Sequence, residues 1–243
     1  VKNAWYPMLD NVKITSEYGD SHGKMAAGFA LLDCYSPLVD KCYFWGGAEY
    51  GLLYRSEIDS EDGIVSDCYF VGQDTGIRVR LSARTDGWGE PAFHLTDSHI
   101  HYKVKGLALK GIRQGFVSGN LFYCFNRAAS RWHADPDSVS SYTSKDIECD
   151  AVNDFIVSHN QFAEPASPKR VCIDILPNSG NLLIDGNIFN MDGTAIRNRS
   201  QVSSRCIGNV YTGSPDFTKS ADGANALIRY VDPNGTLKTL DFE

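Results

Sequence analysis

The chain has 243 residues, of which 42% are hydrophobic and 22% charged, with a formal net charge of −7. That balance is ordinary for a soluble globular protein, and its acidic excess announces no basic face for nucleic acid. No apolar run approaches the roughly 18–20 residues of a membrane span, so no membrane insertion is expected.

The chain opens on "VKNAWYPMLDNVKI", with neither an initiator Met nor a charged-then-apolar leader, and reads as a piece of a longer polypeptide. It also opens inside a repeat. A phrase of the form φ-x-x-(Asn/Cys/Ser)-x-φ, with φ apolar, recurs in "LVDKCYF", "IVSDCYF", "HLTDSHI", "FVSGNLF", "FIVSHNQF", "LIDGNIF" and "CIGNVY". Its copies start at Val39, Val65, Leu95, Val117, Val157, Ile184 and Cys206, with a weaker one at Leu9 (Leu9, Val12, Ile14). Successive starts lie 30, 26, 30, 22, 40, 27 and 22 residues apart. A fixed core with insertions of variable length marks a solenoid. The fixed position carries Cys42, Cys68, Ser98, Asn120, Asn160, Asn187 and Asn209. Stacked at a strand spacing of about 4.8 Å, Asn amides hydrogen-bond up the stack while Cys and Ser fill the same corner. The φ residues then point inward.

A second strand follows each phrase: "GFALL" (Gly28), "GLLYR" (Gly51), "GIRVR" (Gly76), "GLALK" (Gly106), "DIECD" (Asp146), "RVCID" (Arg170) and "AIRNR" (Ala195). Each alternates inward and outward positions with period two. Glycine, Asn and Asp at the junctions supply turns. No 3.6-period segment of ten residues competes. The phrase with its Gly-led second strands resembles the right-handed parallel β-helix of the pectin-lyase-like superfamily. The resemblance implies an all-β, single-stranded parallel solenoid forming one domain over residues 1–243. Regular coils are expected over 8–212, and a less regular stretch over 213–243.

Stacking the second strands yields two outward columns. One runs Leu53, Arg78, Ala108, Glu148, Cys172 and Arg197; the other runs Arg55, Arg80, Lys110, Asp150, Asp174 and Arg199. Glu148 and Asp150 share a rung, and Asp174 is placed one rung beyond Asp150. Neighbouring carboxylates raise one another's pKa and arginines lower it, which is the split an acid/base pair needs. Glu148, Asp150 and Asp174 are therefore the catalytic candidates. Arg55, Arg78, Arg80, Lys110, Arg197 and Arg199 are candidates for holding an anionic sugar. A solvated ladder of salt-bridged charges would use the same residues. Insertions at about 82–91, 123–145 and 163–169 flank this column and would wall a groove. They carry Trp88, Trp132 and His133, ring-bearing residues suited to sugar faces. His99 and His101 share a face, but no third metal ligand accompanies them, and no metal or cofactor is expected.

Seven cysteines without a CxxC pair, several where a small apolar residue would serve, point to buried, reduced thiols and assembly in a reducing cytosol. The residue before each phrase faces outward: Met8, Leu38, Ile64, His94, Phe116, Ile156 and Leu183. So long an apolar column exceeds what a monomer usually exposes. Side-by-side packing of β-helices around a three-fold axis would cover it, as in the bacteriophage tailspikes, which this chain resembles. That resemblance implies a homotrimer on the virion tail, assembled in the host cytoplasm; a secreted bacterial protein is the alternative. It further implies a bacterial surface polysaccharide as partner, with glycosidic hydrolysis expected over lyase-type elimination on a uronate. A non-catalytic receptor-binding or structural β-helix is the rival from another class. The chain has no "GHG" or "RIK" segment and no calcium-binding Asp array, so plant pectin is not expected.

Overall fold

The computed structural model describes residues 1–15, 25–57, 61–82, 91–124, 144–163, 170–190, 193–202, 204–212, 215–216, 228–231 and 237–240. Among these residues there is no α-helix. Strands stack in three faces. The first face carries Met8–Asp10, Leu38–Asp40, Gly63–Ser66, Ala92–Thr96, Gln114–Ser118, Asn153–Ser158, Gly180–Asp185 and the start of Arg205–Thr212. The second carries Lys13–Thr15, Tyr43–Trp45, Leu121–Cys124, Gln161–Ala163, Ile188–Asn190 and the end of Arg205–Thr212. The third carries Ala27–Leu32, Tyr50–Ser56, Lys145–Asp150, Val171–Ile175, Gly193–Asn198 and Pro215–Asp216. Tyr69–Leu81 and His99–Lys110 are long enough to serve the second and third faces in one continuous strand. All these pairings are parallel, and the result is a parallel β-helix. Near the C-terminus Ile228–Val231 pairs antiparallel with Leu237–Leu240.

The Asn corner forms as the repeat predicts. Each ladder side chain accepts from the backbone N–H of the ladder residue one coil earlier. Asn160 Oδ1 accepts from Asn120 N at 3.0 Å, Asn187 Oδ1 from Asn160 N at 2.9 Å, and Asn209 Oδ1 from Asn187 N at 3.0 Å. Where the chain writes Ser or Cys the bond persists: Ser98 Oγ accepts from Cys68 N at 3.0 Å, and Cys68 Sγ from Cys42 N at 3.4 Å. The Asn amides carry two N–H groups where a thiol has one S–H: Asn160 Nδ2 gives to Val117 O at 2.9 Å and Asn187 Oδ1 at 3.0 Å, while Cys68 Sγ gives to Ser66 O at 3.0 Å. The residue before each ladder position takes positive φ to make the corner. It is Lys41, Asp67, Asp97, Gly119, His159, Gly186 and Gly208 along the stack.

The φ residues fill the interior. Phe44 stacks on Phe70 with centroids 4.7 Å apart, and Phe162, Phe189 and Tyr211 continue a ring stack at 4.8 and 4.9 Å. The glycines that open the second strands answer to close packing: a Cβ on Gly51 would lie 2.6 Å from Gly76 O, and one on Gly106 2.6 Å from Asp146 O. All seven cysteines are buried, and none forms a disulfide. Burial pushes the thiols of Cys68 and Cys206 up to about 12.

Candidate functional site

The third face carries the charged residues, but its register differs from the expected one. Leu53, Arg78, Ala108 and Glu148 align as predicted, and the next members are Asp174 and Arg197. Cys172 instead aligns one residue before Ile173, is fully buried, and belongs to the interior. Asp174 is therefore the rung neighbour of Glu148 and not of Asp150. Arg55, Arg80, Lys110 and Asp150 do form the second outward column. The shift is of two residues: the strand begins after Arg170, whose side chain is turned inside.

Asp174 has no exposed side-chain surface, yet cations surround it. Arg197 donates to both oxygens, Nε to Oδ1 at 2.9 Å and Nη2 to Oδ2 at 2.7 Å. Arg199 Nη2 and Lys145 Nζ each reach Oδ2 at 2.9 Å. Glu148 accepts from Lys105 Nζ at 2.6 Å and also from Lys145. Lys110 Nζ donates to Asp150 at 2.6 Å. Arg78 lies 5.8 Å over the Tyr50 ring, and Arg55 lies 3.9 Å from Glu57. Arg80 is exposed and has no ion-pair partner among the described residues. Lys145 thus bridges the two carboxylates that share the column, and sequence reasoning missed both it and Lys105.

Burial pushes the carboxyl groups of Glu148 and Asp174 up. The hydrogen-bonded cations outweigh it, Lys105 and Lys145 at Glu148 and Arg197 and Lys145 at Asp174, and hold both below the ordinary carboxylate range. The expected split, one carboxyl raised and one lowered, is therefore not found between them. Both are ionised at neutral pH, and neither holds a proton to give to a leaving oxygen.

Beneath this face lies a second ion pair that the sequence did not disclose. In the column where other coils place Gly51, Gly76, Gly106 and Ala195, this coil places Asp146. Arg170 fills the space beside it: Nε donates to Oδ2 at 2.9 Å and Nη2 to Oδ1 at 2.7 Å, and both side chains are wholly buried. The Tyr102 hydroxyl donates to Asp146 Oδ1 at 2.6 Å. Arg170 also donates to the carbonyls of Ala163 and Phe122. These groups sit at the strand ends from which segments 125–143 and 164–169 depart and return. In sequence, the first precedes Lys145–Asp150, the second precedes Val171–Ile175, and 83–90 follows Tyr69–Leu81. Trp88, Trp132 and His133 lie in those segments, outside the described residues.

Two further surfaces stand out. On the first face Met8, Leu38, Ile64, His94, Phe116, Ile156 and Leu183 align as one outward column, with Met8 69% and Ile156 41% exposed. A depression of about 290 Å³ lies on the same face, lined by Asp154, Ile156, Asn181, Leu183 and Arg205 among others. On the second face an aromatic group surrounds His99 and His101, whose ring centroids are 6.2 Å apart.

No protein-family model matches the chain, and no curated protein does. Two solved structures are similar to it. The periplasmic alginate epimerase AlgG aligns over 93% of this chain and 60% of its own, with a TM-score of 0.56 and 13% identity. PfbA, a surface adhesin of Streptococcus pneumoniae, aligns over 95% of this chain and 59% of its own, with a TM-score of 0.59 and 13% identity. The chain thus spans about three fifths of each. At that identity the similarity establishes the fold alone: a parallel β-helix.

Proposed function

We propose that this chain is the surface-glycan-binding β-helix of a bacteriophage tailspike, and that its third face binds an acidic polysaccharide of the bacterial surface. One observation carries the reading. On a protein of net charge −7, Arg55, Arg78, Arg80, Lys105, Lys110, Lys145, Arg197 and Arg199 gather along one face beside Glu148, Asp150 and Asp174, with Glu57 near Arg55 and Glu49 and Asp74 near Tyr50. Such a local cationic field attracts a polyanion against the sign of the whole molecule. The Arg55, Arg80 and Lys110 column runs along the helix axis, the direction in which a linear polymer would lie. The seven buried cysteines, none of them in a disulfide, and the outward apolar column of the first face support the tailspike part of the reading. Similarity to a polysaccharide epimerase and to a surface adhesin is in keeping with it.

Hydrolysis is not proposed, because it needs a protonated carboxyl beside an ionised one and the paired Glu148 and Asp174 are both ionised. A second reading, elimination on a uronate, has one observation in its favour. Asp150 lies beside Lys110 and keeps 24% of its side chain exposed, so a carboxylate base and a cation for the uronate meet on an accessible rung. The test is binding of the full chain to a panel of acidic bacterial capsules and O-antigens over a range of salt. Affinity that falls steeply with salt and drops in Arg80→Ala is expected. Binding indifferent to both would overturn the cationic-face reading. A rise in ultraviolet absorbance from unsaturated uronate, lost in Asp150→Asn, would establish the elimination.

A further inference from the structure

The second face exposes aromatic rings that neither the cationic site nor the apolar column uses. Tyr43, Tyr69 and His99 occupy one outward column, while Trp45, His101 and Tyr123 lie two residues further along their strands. Their rings touch in an unbroken path. Trp45 to Tyr43 is 6.1 Å between centroids, Tyr43 to Tyr69 5.9 Å, Tyr69 to His99 4.6 Å, His99 to His101 6.2 Å and His101 to Tyr123 5.2 Å. Trp45 and Tyr69 remain 41% and 43% exposed despite these contacts.

We propose that this run of rings is a saccharide-binding strip, on which successive pyranose units of a glycan chain stack. Three features favour a glycan over a protein partner. The strip is narrow and linear, offering a ring at each coil over four successive coils, as a linear polymer requires. Each member joins an apolar ring to a hydroxyl or N–H, matching a sugar's apolar face and polar rim. The first face, in contrast, presents Leu, Ile and Met, which have no such polar tip. Finally, Tyr69–Leu81 and His99–Lys110 run without a break from this strip to the cationic face, so Tyr69 and Arg80 are borne by one strand. A glycan crossing the edge between the faces would meet aromatic rings on one side and cations on the other. The strip does not depend on the ligand being acidic, and so stands apart from the reading of the third face.

The two are separated by salt. Near 1 M salt the Debye length falls to about 3 Å and attraction to exposed cations is screened, whereas ring stacking persists. The full chain is run in native gels holding alginate, dextran or one of a panel of purified bacterial capsules and O-antigens, at low and high salt. The expected result is retardation that survives high salt in at least one gel. It should weaken roughly tenfold in affinity in Trp45→Ala/Tyr69→Ala, the scale for truncating aromatic anchors. Tyr69→Phe should retain most of it. Unchanged retardation in the double variant would overturn the proposal, as would the absence of salt-resistant retardation in every gel. It would equally fall if the unmodified chain sediments as an oligomer that the double variant dissociates, since the strip would then be a subunit contact.

Discussion

Asn160 is 1% exposed, and each of its polar atoms has a partner in a neighbouring coil. Replacing it by Leu keeps the volume near but leaves Asn120 N–H without its acceptor. A buried donor stripped of its partner costs about 1–3 kcal/mol, so the Asn160→Leu chain should unfold at lower denaturant. An unchanged midpoint would mean that the corner is held by the strands and not by the amides. Arg170 is a harsher case. Removing one member of a buried ion pair strands the other, at a cost of about 3–5 kcal/mol, while replacing both by apolar groups is often near neutral. Arg170→Met should therefore be severely destabilising. Asp146→Ala/Arg170→Met should recover most of the loss, because Ala195 already fills the same column two coils on. A double variant as unstable as the single one would show that the carbonyls of Ala163 and Phe122 matter more than the charge pair.

At the scale of a strand, the sequence was most legible where one residue type marks one position. The φ-x-x-Asn-x-φ phrase names its own inward and ladder positions, so the first face, the Asn corner and the interior could be assigned coil by coil. The third face was less legible, since period-two alternation survives a shift of two residues and says nothing of which shift is right. "RVCID" and "CIDIL" alternate equally well; only the inward turn of Arg170 decides between them. The aromatic strip left a signal that went unused: Tyr43, Tyr69 and His99 each follow the ladder residue directly, in "CYF", "CYF" and "SHI". The register that unites Glu148 with Asp174 has a consequence in acid. Their folded pKa values lie below the ordinary 4.5 and 3.8, so the network's stabilisation is fully present above those values. It is lost as pH falls through the lower folded values, when the carboxyls take up protons and leave Lys105, Lys145 and Arg197 unpaired. Thermal melts should accordingly fall steeply below about pH 4. Glu148→Gln should flatten that fall, and an equally steep one would place the acid sensitivity elsewhere.

The whole molecule presents three unlike faces: apolar, aromatic and cationic. Only the apolar one asks to be covered by more of the same surface. Met8, Leu38, Ile64, Phe116, Ile156 and Leu183 rise in register along the first face, and His94 interrupts them while resting 4.5 Å from the Phe116 ring. The homotrimer that the tailspike resemblance implies would set three such columns against one another around a common axis. That arrangement would leave the cationic faces turned outward, where the proposed polysaccharide would reach them. Ile64 and Ile156 lie three coils apart on that column, both partly exposed, so substitution there should disturb little of the fold. Burying a charge in an apolar interface costs several kcal/mol unless it is paired. Ile64→Asp/Ile156→Asp should therefore shift sedimentation from trimer to monomer while leaving the melting of the isolated coil stack nearly unchanged. The measurement belongs at high protein concentration, where association is favoured by mass action. An unmodified chain that remains monomeric there would sink the trimer, and the apolar column would then need a different cover.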